Sequence, residues 1–272
     1  MIIAEKQSII STNNATIAGY VPKVYNKGKS EGYDEGYSEG YDKGYADGKA
    51  EGGGDDFWDL YQDYGNRTAY NNVFSGPAWN DVTFKPKYDI TPVGAAPTYN
   101  IFEACKITDL KQILEDCGVV LDTSRVSYCS NMFQESSITR IGELNFSNAS
   151  AVIPFSGCSK LQSVDKLILS NTSSQNFSAQ SFASCASLTH IIFEGVIRTG
   201  TLNMKDCVNL DGESIDSIIS CLSDDTSGLS VTVSKAAVDK DFETSEGAND
   251  GSTSAQWLAL IATKSNWTVS LV

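Results

Sequence analysis

The stretches that decide the fold are FSGCSKLQSV (155–164), FASCASLTHI (182–191) and MKDCVNLDGE (204–213). They align as Phe155-x-x-Cys158-x-x-Leu161-x-x-Val164, Phe182-x-x-Cys185-x-x-Leu188-x-x-Ile191 and Met204-x-x-Cys207-x-x-Leu210. A weaker copy, Met132-x-x-Glu135-x-x-Ile138-x-x-Ile141, precedes them, so successive units start 23, 27 and 22 residues apart. A period in the twenties with L-x-x-L-x-L character predicts a solenoid. One such unit cannot bury its apolar positions alone. Stacked on its neighbours, it lines them up in columns. Phe155, Cys158, Leu161, Phe182, Cys185, Leu188, Cys207 and Leu210 are the expected column residues. Glu135 stands where cysteine is expected, which marks the first unit as an atypical cap.

Strand-like runs follow the units at Leu144–Asn148, Leu167–Asn171 and Ile191–Gly195. The last unit runs instead into a helical stripe of Ile215, Ile218, Ile219 and Leu222. A further helix is expected over 106–117, capped by Thr108 or Asp109 and ended by Gly118. Towards the C-terminus the pattern predicts a strand at 228–234, a short helix capped by Ser234, a helix started by Ser252 or Ser254, and a strand at 266–272. These would cover the last rung. The expected fold class is α+β: a short solenoid with a helix-and-strand cap and an extended or helical glycine-repeat N-terminal region.

That N-terminal region has its own beat. Glycine recurs at Gly28, Gly32, Gly36, Gly40, Gly44, Gly48 and Gly52, with Tyr33, Tyr37, Tyr41 and Tyr45 beside it. In an isolated helix seven glycines would cost about 7 kcal/mol. A helix would therefore need its glycine stripe packed against another copy, wound right-handedly. Such a stalk would place Gly32 to Gly48 and Tyr33 to Tyr45 in an oligomer interface. A flexible acidic linker or a cation site are the other readings. The organisation read from the chain is an attachment segment at 1–27, the repeat stalk or linker at 28–54, an aromatic helix and proline-rich connector at 55–105, the solenoid at 106–223 and the cap at 224–272.

Composition excludes several function classes. The formal charge is −14 and the isoelectric point about 4.4. That opposes binding to nucleic-acid phosphates or anionic membranes, which takes clustered Lys and Arg. No secretory signal and no apolar run long enough to cross a membrane is read in the sequence. Seven cysteines without any CxxC pair, and a single histidine, His190, argue for buried reduced thiols and against zinc. No nucleophile elbow or phosphate loop occurs. The acidic pairs Asp55/Asp56 and Asp224/Asp225 read as solvated caps, not as catalytic carboxylates. The expectation is a protein without enzymatic activity or cofactor.

The F-x-x-C-x-x-L units resemble the BspA-type leucine-rich repeats. The chain as a whole also resembles small structural proteins of phages and prophages of gut Firmicutes, through IAGYVPKVYNKG (17–28), the GYDEGYSEGYDKGYADG beat (32–48), the segment 57–90 and the closing STSAQWLALIATKSNWTVSLV. The beat alone is similar to GxxxG-repeat helices of Yae1-like adaptors, but the rest of that pattern is missing. The phage resemblance implies a tail or baseplate protein of the virion, made in the host cytoplasm. It would be a homo-oligomer that contacts other virion proteins or a host surface receptor. Its outward solenoid face would carry Asn145, Lys166, Ile168 and Ile192. A bacterial surface adhesin and a cytoplasmic adaptor are the alternatives.

Overall fold

A computed structural model describes Trp58 and residues 73–92, 100–242 and 254–272. The glycine beat, its tyrosines, the attachment segment, the acidic pair Asp55/Asp56 and most of the aromatic helix lie outside the described residues.

The solenoid is real and parallel, with about four turns and mixed helix and strand. Among the elements with described bounds, helix α1 (Leu110–Cys117) is followed by β1 (Cys129–Ser130), β2 (Arg140–Asn145), β3 (Val152–Ile153), β4 (Ser163–Ile168), β5 (His190–Glu194) and β6 (Asn203–Met204). Then come α2 (Gly212–Ser220), β7 (Leu229–Val233), α3 (Lys235–Asp241), α4 (Ala255–Ala262) and β8 (Trp267–Leu271). Among the described residues the strands form three parallel sheets, ordered β1-β3, β2-β4-β5 and β6-β7-β8.

The columns are as the repeat demands. Phe155, Cys158, Leu161, Phe182, Cys185, Leu188, Cys207 and Leu210 are all buried. Ring centroids of Phe133, Phe155 and Phe182 succeed one another at 5.7 and 5.5 Å. The column runs further towards the N-terminus, from Phe133 to Phe102 at 5.4 Å and from Phe102 to Phe74 at 5.3 Å. The thiols bind as well as fill. Cys158 Sγ donates to the Phe133 carbonyl at 2.8 Å, and Cys185 Sγ to the Phe155 carbonyl at 3.1 Å. Each cysteine thus ties its turn to the turn before.

One register is corrected. Phe133, not Met132, stands in the aromatic column, and Ser136, not Glu135, takes the place of cysteine. The unit is a shorter Phe133-x-x-Ser136-x-Ile138, matched by Phe102-x-x-Cys105-x-Ile107. Glu135 instead occupies a conformational position shared by five successive units, though not by Asp206 in the last: Gly76, Ala104, Glu135, Gly157 and Ser184 all have φ between 53° and 80°. The left-handed backbone aims each N–H at the next turn. Gly76 donates to Glu103 O at 2.7 Å, Ala104 to Gln134 O at 2.8 Å, Glu135 to Ser156 O at 3.0 Å and Gly157 to Ala183 O at 2.9 Å. Ser184 N reaches the Asp206 carboxylate instead, at 3.0 Å.

The strands are also corrected. They begin before the leucines that seemed to open them, at Arg140 and Ser163, and each closes one residue past its leucine, at Asn145 and Ile168. In β2 the inward residues are Ile141 and Leu144, and in β4 Val164 and Leu167, three apart. In β5 they are Ile191 and Phe193, two apart, and the β4–β5 register shifts between Val164 and Leu167. β2 and β4 therefore carry one extra outward residue each, in register with one another and bulged against β5, which broadens the face.

Helices stand where further strands would. Asp109 bridges Arg140 in parallel just before α1, and the Asp109 side chain caps that helix on Gln112 N at 3.0 Å. Beyond β5, α2 is capped by Asp211 on Ser214 N at 2.9 Å. Its serines finish the sheet: Ser214 Oγ accepts from Ile191 N at 2.9 Å and Ser217 Oγ from Phe193 N at 3.1 Å. Ser254 caps α4 on Trp257 N at 3.4 Å, as expected, whereas Ser234 stands at the start of α3 without a side-chain cap bond.

Candidate binding surface

The outward side of β2-β4-β5 is the face the sequence pointed to, and the structure gathers the residues expected there. Asn145 pairs with Ile168 across β2 and β4, and Glu143 with Lys166. Ile192 lies on β5, and all four expected residues are half-buried. Lys166 is the hub of a charge ladder across three strands, 2.9 Å from Glu194 and 3.9 Å from Glu143. The hydrogen bond to the Glu194 carboxylate, then the charges of Glu194 and Glu143, hold the Lys166 ammonium above its ordinary range. All three groups are solvated, so the ladder orders the face more than it stabilises the fold. Asn145 is held through both backbone and side chain: its N–H donates to Thr123 Oγ1 at 2.7 Å, and its Oδ1 accepts from Ser147 N at 3.0 Å.

Beside the ladder lies a groove of about 420 Å³, between α1 with the following loop and the outer side of β2 and β4. Its apolar surface is the exposed Val120 and the half-buried Leu121, with the buried Leu114, Val119 and Ile141 beneath. Glu115, Asp122, Glu143 and Asp165 give it four carboxylates against one ammonium, Lys111. Lys111 sits 2.5 Å from Asp165 and 4.0 Å from Glu115. The hydrogen bond to Asp165 is the main reason its ammonium lies above the ordinary value. Asp122 is held low by hydrogen bonds from Ser124, so it stays ionised. The floor at Gly142 is open, and a Cβ there would meet nothing within 4 Å.

Sequence reading did not find this groove. The signal was Gly142 within a strand-forming run, which weakens a strand unless another group must come close. The partners across the groove, on α1 and its loop, are brought there only by the turn of the solenoid.

The other described candidate residues sit in packing and pairing contacts. Burial lifts the thiols of Cys105, Cys158 and Cys207, to about 11, 12 and 12, and raises Cys129 and Cys185 further still. These groups stay protonated and are poor nucleophiles. His190 Nδ1 lies 2.8 Å from Asp211 Oδ2, a link between β5 and the start of α2. Asp224 pairs with Lys264 at 2.6 Å, and Asp225 hydrogen-bonds Ser223. Among the described residues no group of His, Cys, Asp and Glu is placed to hold a metal, and no helix is long and apolar enough to cross a membrane. Comparison with known proteins finds no family model, no curated protein and no solved structure that matches this chain.

Proposed function

We propose that this protein is a non-enzymatic recognition and assembly component of a phage particle, at the tail or baseplate, with a leucine-rich-repeat solenoid as its recognition module. The observation that supports this best is the outward face of β2-β4-β5. It is broadened by the extra outward residue in β2 and β4, ordered by the Glu143–Lys166–Glu194 ladder, and studded with half-exposed Ile168 and Ile192. A rigid face with apolar patches among ordered charges suits protein recognition. Its partner is a host surface receptor or another virion protein. The region before residue 58 attaches or oligomerises the protein, in keeping with its glycine-tyrosine beat.

The test is fractionation of particles from producing cells, with immunodetection of this chain. Co-purification with intact particles is the expected result, and free protein in lysates with none in particles refutes the virion role. Ile192→Glu, placed on the open face, should leave folding intact and abolish capture of the partner.

A further inference from the structure

The groove and the N-terminal sequence are complementary in charge. Residues 6–30 hold Lys6, Lys23, Lys27 and Lys29 and no Asp or Glu, within a chain of net charge −14. In the stretch from Val21 to Lys29 the lysines alternate with Val21, Val24 and Tyr25. The groove offers the opposite pattern, with carboxylates around an apolar lining and a floor at Gly142 left open for close approach. The fold itself does not require that glycine. Its φ is not left-handed, and a side chain would meet no neighbour.

We infer that the groove takes the lysine-bearing segment Val21–Lys29 of a second copy of this chain, making a head-to-tail contact between copies. The inference rests on the reading of the N-terminal region as an assembly element and gives that element its receptor. In that contact the lysine side chains would pair with Glu115, Asp122 and Glu143, and the valines and tyrosine would cover the exposed Val120 and the half-buried Leu121. A heterologous contact of this kind closes into a ring or grows into a filament, according to the rotation between copies.

The test uses the full chain and measures its mass in solution by sedimentation at low and moderate salt. Two reversals are made: Glu115→Lys with Glu143→Lys in the groove, and Lys23→Glu, Lys27→Glu and Lys29→Glu in the segment. Each should cut self-association at least about tenfold, the effect of reversing several exposed charges, and the two combined should restore it. Gly142→Val should also abolish association while melting no lower than the parent. A labelled peptide of residues 18–30 should bind the segment-reversed chain, and lose that binding when the groove is reversed too.

If segment reversal breaks association and groove reversal does not, the N-terminal assembly role stands and the groove is overturned as its receptor. If the full chain is monomeric and the peptide binds neither variant, both readings fall. A monomer whose groove admits the peptide only after segment reversal overturns docking between copies.

Discussion

Gly195 adopts φ +103°, and a Cβ there would lie 2.4 Å from the Leu169 carbonyl oxygen. The clash is with backbone that is itself bonded, since Leu169 N donates to Glu194 O at 2.7 Å. Gly195→Ala should therefore destabilise by on the order of 3 kcal/mol, read from denaturant unfolding. Glu135 makes the opposite case. It holds φ 55° with a side chain that adds strain, so Glu135→Gly should be neutral or stabilise by up to about 1 kcal/mol. The acid limb of stability is expected to involve Asp211. Burial by itself raises its carboxyl, but hydrogen bonds from Ser214 and His190 hold it below the ordinary value of 3.8. A carboxyl lowered by folding contributes stability above its unfolded value and loses it as pH falls through the folded one. Asp211→Asn should flatten that loss below about pH 4, measured by melting temperature against pH.

At the scale of the element, α2 is a helix standing in for a strand. The hydroxyls of Ser214 and Ser217 satisfy the two N–H groups of β5 that a fourth strand would have used. Ser214→Ala leaves the buried Ile191 N–H without its partner and should destabilise by about 1–3 kcal/mol. Exchange of the Ile191 amide should speed up before that of Val164, one strand further in. The aromatic column gives a second prediction. Phe155 touches rings on both sides, so Phe155→Ala should cost about 3–5 kcal/mol, whereas an exposed change such as Val82→Ala should be silent. The sequence announced both helices, because apolar stripes and caps are local. It did not announce that they occupy strand positions, since hydrogen bonds between turns decide that. The strand starts were misread for a related reason. The three-residue intervals from Ile141 to Leu144 and from Val164 to Leu167 break the alternation that marks a strand, and only the register of β4 with β5 reveals a bulge.

For the molecule as a whole, the stack of Phe, Cys and Leu columns was legible because every turn repeats the same requirement. The shortened units at Phe102 and Phe133 were not, because one missing residue shifts Met132 into false alignment. The groove was hidden for a third reason: Lys111 and Asp165 are far apart in sequence and meet only by winding. Five thiols sit inside the stack, so a thiol reagent should label Cys117 and Cys221 first and reach Cys105, Cys129, Cys158, Cys185 and Cys207 only at the rate of global unfolding. Parallel winding also governs how such a protein can change in size. With α1 and α2 closing both margins of the β2-β4-β5 sheet, material can be added only as a complete lap of chain between them. A gene that duplicated the lap from Phe155 to Ser181 would lengthen the molecule and enlarge its recognition area while leaving both terminations untouched.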